Sequence, residues 1–377
     1  MSAENHYSIH GLLTVASQVA LPELEPFRVA ALPAQPDIRV RLGAVRRAAD
    51  AGGSGRSIIY DDGLGPLGFQ CRIDLGDDGI QVTAAPLLRF SPHVLYTNIV
   101  EPILRWTFVA RGYTLVHGAC LAWGPSAYLI TALTDTGKTT TVLQALRHCR
   151  PEEPAGFISD DLTLLSPSGQ VYTFPKPLTI SAHTLHAVDA GRLDGWGRFF
   201  LPFQSMVHSR GGRRTAHRMA RWPLPVATIN AVTQMIVPPP KYPVQALVPG
   251  VRMVASAQLA GVFFIEWGPD ADLGLSDGEA LDHLMRNGED AYGFPPYAAI
   301  APSLYQSPGG DLHQREREIV GRGLGSLPKR LVRREQGNWW RPILEVLSTA
   351  PSAEPGPSSD GAGALEWSSP QTSGPAS

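Results

Sequence analysis

Lysine is scarce in this chain: of 32 basic residues only four are lysines, Lys138, Lys176, Lys241 and Lys329, and the rest are arginines. Each lysine therefore carries more information than usual. Cysteine is scarce as well. Cys71, Cys120 and Cys149 form an odd set at wide spacing, which excludes a disulfide framework and a zinc cluster of the usual pattern. A reducing, cytoplasmic setting is the expectation, and the opening MSAENHYSIHGLLTVAS lacks the basic and long apolar regions of a signal peptide. Long apolar runs are missing too. The most apolar stretch, residues 113–133, is broken by His117, Gly118, Gly124, Pro125 and Ser126, so it suits two strands and a turn rather than a membrane helix. A formal net charge of −2 excludes a whole-surface binder of nucleic acid or membrane and leaves only a local patch.

Turn-forming residues are abundant, with 38 Gly and 34 Pro among 377 residues, while 43% hydrophobic residues suffice for sizeable cores. The length suits two domains and a tail. Up to about residue 85, short apolar runs (LLTVA, IRVRL, SIIYD, GIQVTA) alternate with Gly, Pro and Asp, which predicts a β-rich N-terminal module over 1–109. Val94, Leu95, Ile99, Ile103, Leu104 and Phe108 recur at helical spacing and predict an amphipathic helix over 92–110 leading into a second unit, 110–347. There YTLVHGACLAW and SAYLITAL read as strands, KTTTVLQALRHC as a helix, and GFISDDLTLLS, QVYTFP and LAGVFFIEW as further strands. Ser276 with Glu279 forms a candidate capping box for a helix over 277–287, and helices are expected over 314–324 and 340–347. Residues 348–377 read as a disordered Pro/Gly/Ser/Ala tail.

The strongest chemical signal is the run from Ala132 to Thr140, ALTDTGKTT, placed where an apolar strand ends and a helix begins. In a phosphate loop, backbone N–H groups and the helix N-terminus surround the phosphates. The lysine reaches the β and γ oxygens and the following hydroxyl ligates Mg²⁺. Thr134, Asp135, Thr136, Gly137, Lys138, Thr139 and Thr140 fall in those positions, with Ala132 where the pattern has its first glycine. Asp160 and Asp161 follow Lys138 by 22 and 23 residues, at a strand end. Beside a triphosphate, one such carboxylate can hold Mg²⁺ and the other accept a hydroxyl proton; spacing does not say which does which. His117, 21 residues before Lys138, is the third candidate.

The succession VHGAC, a loop ending GKT, then ISDD resembles the catalytic domain of the HPr kinase/phosphorylase family, whose fold is shared with phosphoenolpyruvate carboxykinase. The resemblance is good over residues 110–185 and looser to about 267, and the opening HGLLTVASQVALPEL is similar to the N-terminal module of relatives whose substrates are unassigned. It implies an α/β fold, ATP and Mg²⁺ as cofactors, and transfer of the γ-phosphoryl group to a hydroxyl of a protein or small molecule. It also implies His117 near the phosphates, Lys138 and Thr139 on ATP and Mg²⁺, and Asp160 and Asp161 as base and metal ligand. The family loop has glycines where this chain has Ala132 and Asp135. Asp135 then points outward, holds a metal-bound water or marks a weakened site. The glycine-rich signature that follows the aspartates in true HPr kinases is not found, which argues against HPr as the acceptor.

No Asp or Glu occurs from Gly195 to Ile265, while Arg198, Arg210, Arg213, Arg214, Arg218, Arg221, Lys241 and Arg252 give eight positive charges. Such a stretch suits an anion, with Arg210, Arg213, Arg214 and Arg252 as substrate candidates and Lys176 as a lesser phosphate contact. Thin aromatic interleaving disfavours nucleic acid. The rival readings are a nucleotide-binding regulatory protein without catalysis and an anion or nucleic-acid binder through the arginines; a homo-oligomer is left open. The tail's composition cannot offset its ordering entropy, so deleting residues 350–377 is expected to leave the melting temperature unchanged. A drop of several degrees in a thermal melt would show that the tail packs on the rest.

Overall fold

The structure is a computed structural model that describes residues 4–45, 56–64, 68–149, 153, 155–174, 176–179, 225–236, 241–292, 296–307 and 310–349. Two sheets and a set of helices make it a mixed α/β protein. The first sheet comprises β1 (Asn5–Ile9), β2 (Leu13–Ser17), β3 (Arg28–Val29), β4 (Ile38–Leu42), β5 (Arg56–Asp61), β6 (Gln70–Gly76) and β7 (Gly79–Ala84), in the order β3-β1-β2-β4-β7-β6-β5. It is mixed, with β4 parallel to both β2 and β7. Alternation decides its buried face: Ile38 and Val40 in β4 and Ile73 and Cys71 in β6 point to the core.

The chain then turns helical. Pro92–Leu95 and a π turn, Tyr96–Val100, run into α1 (Glu101–Ala110). The amphipathic helix expected over 92–110 is formed with one π turn inside it, and its last part, α1, is buried on most sides. Periodicity reported one apolar face; the face that looked polar is covered by α5 (Tyr297–Tyr305) and α6 (Leu312–Leu324). There the guanidinium of Arg105 forks onto Glu316 at 2.8 and 2.7 Å, lies 4.7 Å over the rings of both Trp106 and Tyr292, and shares Glu316 with the Thr114 hydroxyl at 2.9 Å.

The second sheet contains β8 (Thr114–His117), β9 (Ala119–Trp123), β10 (Ser126–Thr131), β11 (Ala155–Ser159), β12 (Leu162–Leu165), β13 (Gln170–Tyr172), β16 (Ser256–Trp267), β17 (Ala271–Gly274) and β20 (Lys329–Arg334). Two-residue pairs, β14 (Leu178–Thr179) with β15 (Lys241–Tyr242) and β18 (Gln306–Ser307) with β19 (Gly310–Asp311), complete the strands. YTLVHGACLAW and GFISDDLTLLS each form two half-strands rather than one. Leu162 stands opposite His117 and Ser159 opposite Cys120, so the two ladders lie end to end with Gly118 and Asp160–Asp161 at the joint. Gly118 has no room for a side chain: a Cβ there would meet Leu129 Cδ1 at 2.9 Å and the Ile130 carbonyl at 3.2 Å.

Successive residues of β9 and β16 face opposite sides. Ala119, Leu121, Phe263 and Ile265 pack against α2 (Lys138–His148) and α7 (Trp340–Thr349), whereas Cys120, Ala122, Val262 and Phe264 pack against α4 (Asp277–Ala291) and α6. A further helix, α3 (Val226–Ile236), contacts the helical passage before α1. The capping box of Ser276 and Glu279 is formed and its helix runs on to Ala291. Among the described residues no helix is long and apolar enough to cross a membrane.

Burying Arg105 and Glu316 is tolerable only as a pair. Glu316→Ala strands a buried cation and is expected to lower stability by about 3–5 kcal/mol. The midpoint of urea unfolding checks it; a loss under ~1 kcal/mol would mean that the pair does not lock α1 to α6.

Candidate functional site

The loop from Ala132 to Gly137 leaves the apolar strand β10 and ends as the N-cap of α2. Two backbone conformations shape it. Gly137 has φ 130, open to glycine, and a Cβ there would lie 3.0 Å from Trp339. Asp135 has φ 60, the left-handed region that Asp tolerates better than most residues, and it is exposed. The acid therefore supplies a turn conformation that a glycine would otherwise provide, with its side chain on the solvent side. Ala132 is buried in the core under α2. Two tryptophans brace the loop: Trp267 donates its indole N–H to the Thr136 carbonyl at 3.1 Å, and Trp339 donates to the Glu266 carbonyl at 3.0 Å.

Lys138 turns its ammonium back toward the sheet. It donates to His117 Nε2 at 2.8 Å and to the carbonyl of Ala132 at 3.2 Å. Since the ammonium donates, Nε2 accepts and the ring proton sits on Nδ1, which faces Asp161 Oδ1 at 3.5 Å. Burial and the adjacent ammonium push His117 down to about 3, so the ring is neutral at physiological pH. Burial also lowers the Lys138 ammonium, although Asp161 and Asp160 act against that shift. Thr131 fixes the histidine from behind, its hydroxyl donating to the His117 carbonyl at 2.8 Å while accepting from Asn287 at 3.0 Å.

Asp160 and Asp161 occupy the joint between β11 and β12, with the Asp161 carbonyl accepting from Gly118 N–H at 3.1 Å. Their surroundings are unequal. Asp160 Oδ2 accepts from the Thr139 hydroxyl at 3.0 Å, and its Oδ1 is buried without a partner, a loss worth about 1–3 kcal/mol in an ordinary core. Burial and the charge of Asp161 push Asp160 up to about 7. Desolvation works in the same direction on Asp161, but Lys176 at 2.9 Å, helped by Lys138, outweighs it and holds that carboxyl well below the usual range. The Asp161 side chain is 48% exposed. Lys176 also pairs with Glu101 at 2.8 Å, and Glu101, raised by burial, accepts from the Tyr292 hydroxyl at 3.4 Å.

Of the residues singled out in the sequence, His117, Lys138, Thr139, Asp160 and Asp161 come together. Thr134, Thr136 and Thr140 lie in the same loop and first helical turn. Lys176 joins the site as a partner of carboxylates rather than as a free phosphate contact. Arg252 does not join it: its guanidinium lies by Gly156, at the other end of β11 from Asp160. Lys241 is not an unmatched charge, since it pairs with the buried Glu23. Arg198, Arg210, Arg213, Arg214, Arg218 and Arg221 lie outside the described residues, as does the tail from 350. Glu101, Asn287, Asp290 and the two tryptophans escaped the sequence reading, which had no local pattern to mark them.

Among the described residues no three His, Cys, Asp or Glu side chains form a ready-made metal cage. Mg²⁺ is ordinarily held by one or two carboxylates together with phosphate oxygens, and the hard oxygens of Thr139, Asp160 and Asp161, with Asp160 Oδ1 unpartnered, fit that mode.

The raised Asp160 makes stability depend on pH. From about pH 4 to about 7 the folded chain keeps a proton that the unfolded chain releases, so this residue costs stability progressively as pH rises, by at most ~4 kcal/mol. Asp161 titrates below that window and does not interfere. Without nucleotide or metal, Asp160→Asn should gain stability over wild type as pH rises from 4 to 7, and the gain should level off above it. Parallel urea curves with pH would show that Asp160 is not shifted.

No protein-family model matches this chain, and no curated protein matches it in sequence.

Proposed function

We propose that this chain is an ATP-dependent kinase resembling HPr kinase/phosphorylase, which transfers the γ-phosphoryl group to a hydroxyl of a protein or small-molecule acceptor. One observation carries the reading. Residues far apart in sequence meet in the pattern phosphoryl transfer needs: Lys138 on His117 at 2.8 Å, and Thr139 on Asp160 at 3.0 Å, at the start of a helix that follows a strand.

In this reading the amides of residues 134–139 and the N-terminus of α2 surround the β and γ phosphates, and Lys138 swings from His117 to their oxygens. Mg²⁺ held by Thr139 and Asp161 would neutralise charge on those phosphates. Asp161, held ionised by Lys176, supplies fixed negative charge. Asp160, poised near 7, takes the proton of the acceptor hydroxyl, whose oxygen bonds to the γ phosphorus as the bond to the ADP oxygen breaks. His117 gives the lysine a neutral resting partner, so release to phosphate breaks no ion pair.

Mg²⁺-ATP is expected to raise the melting temperature of wild type by mass action, and Lys138→Ala to abolish the shift. Asp160→Asn should bind ATP normally yet transfer labelled phosphate ~100-fold more slowly, whereas Asp161→Asn should lose Mg²⁺-dependent affinity. No thermal shift with millimolar nucleoside triphosphate would remove the assignment. Binding without transfer to any acceptor would make the chain a nucleotide-binding regulatory protein.

A further inference from the structure

Asp290 breaks a local rule. It lies in the last turn of α4, where the helix carries negative partial charge and a carboxylate is disfavoured, and that turn holds no basic residue. Its side chain is exposed, and the hydrogen bond it makes leaves its own helix: Oδ2 accepts the backbone N–H of Thr134 at 2.8 Å. One turn earlier on the same face, Asn287 reaches Thr131 at 3.0 Å. The end of α4 is thereby laid along the phosphate loop.

We propose that Asp290 is a resident anion of the phosphate loop: its carboxylate holds the Thr134 amide when no phosphate is bound and is displaced by the terminal phosphate of the ligand. This rests on the reading of residues 132–140 as a nucleotide loop and names what sets its affinity. Backbone amides leading into a helix N-terminus favour an anion, and Lys138 has meanwhile turned inward onto His117 and the Ala132 carbonyl, leaving the Thr134 amide to the carboxylate. A chain of phosphates entering the loop brings a second anion beside the carboxylate, so Asp290 weakens binding most for ligands whose terminal phosphate reaches Thr134. Shorter phosphates bound deeper, at the start of α2, feel it less. Asp290 is in this way a specificity-determining residue for phosphate number.

Substitution by asparagine separates charge from hydrogen bond, because an amide oxygen accepts from Thr134 as the carboxylate does. Calorimetric titration with inorganic tripolyphosphate and with phosphate is the test, on wild type, Asp290→Asn, Asp290→Ala and Lys138→Ala. The Asn variant should bind tripolyphosphate about 3- to 10-fold tighter than wild type at low salt, with the gain shrinking at high salt and absent for phosphate. Binding by the Asn variant where wild type shows none would support the proposal equally. Unchanged or weaker binding by both variants, with Lys138→Ala still abolishing it, overturns this inference alone and makes Asp290 a positioning residue or a bystander. If neither wild type nor the Asn variant binds, the nucleotide reading fails and this inference with it.

Discussion

Asp160 is buried while its neighbour Asp161 is half exposed and bound to Lys176, and that difference makes the two carboxylates unequal. Burial is the larger cause of the rise at Asp160, and the charge on Asp161 adds to it. By binding Asp161 on one side and Glu101 on the other, Lys176 keeps Asp161 ionised and leaves Asp160 to rise. The lysine itself is held charged against burial by the same two carboxylates. The break between β11 and β12, the glycine opposite it and the histidine beside it are all arranged around that inequality.

Local strings marked the residues that meet at the site. GKT, HG and SDD are short, and each sits where a strand stops, so the loop, His117 and both aspartates could be found from spacing and residue type alone. Their inequality could not. It depends on Glu101, which sequence places inside an apolar helical run, and on Lys176, which sequence offers as a lesser phosphate contact and not as a partner of carboxylates. A lone acid among hydrophobic residues looks like the solvent side of an amphipathic helix until Lys176 and Tyr292 meet it there. Similarly, YTLVHGACLAW reads as one strand because alternation survives Gly118, and only the pairing partners show that the ladder changes there.

The departure at Asp135 has a different meaning in three dimensions. In sequence it suggests an acid facing phosphates; in the fold it is an exposed residue at positive φ whose charge, like that of Asp290, favours the protonated form of Lys138. Asp is among the few residues other than glycine that take this conformation at modest cost. An acid with direct access to a loop amide does exist, but it comes from Asp290 on α4. Sequence marks the acid inside the loop, and the fold brings a second one to a loop amide from α4.

The N-terminal part of the chain supports the site from outside it. His10, at the turn between β1 and β2, bonds the Thr173 carbonyl at 2.7 Å, and the Phe27 and Phe174 rings meet at 5.6 Å. These contacts pin the strand end from which Lys176 emerges. From the other direction, the helical passage after the sheet delivers Glu101, and its packing is continuous with the core of the first sheet. A split near residue 110, natural from composition, would therefore separate Lys176 from one of its two partners and from the contacts that aim it. With Glu101 gone, Lys176 would bind Asp161 alone, free to follow it into solvent, and the charge difference between the two aspartates would no longer be fixed by a buried bridge. The electrostatic setting of the site thus belongs to both sheets, even though the string that announces it lies in only one.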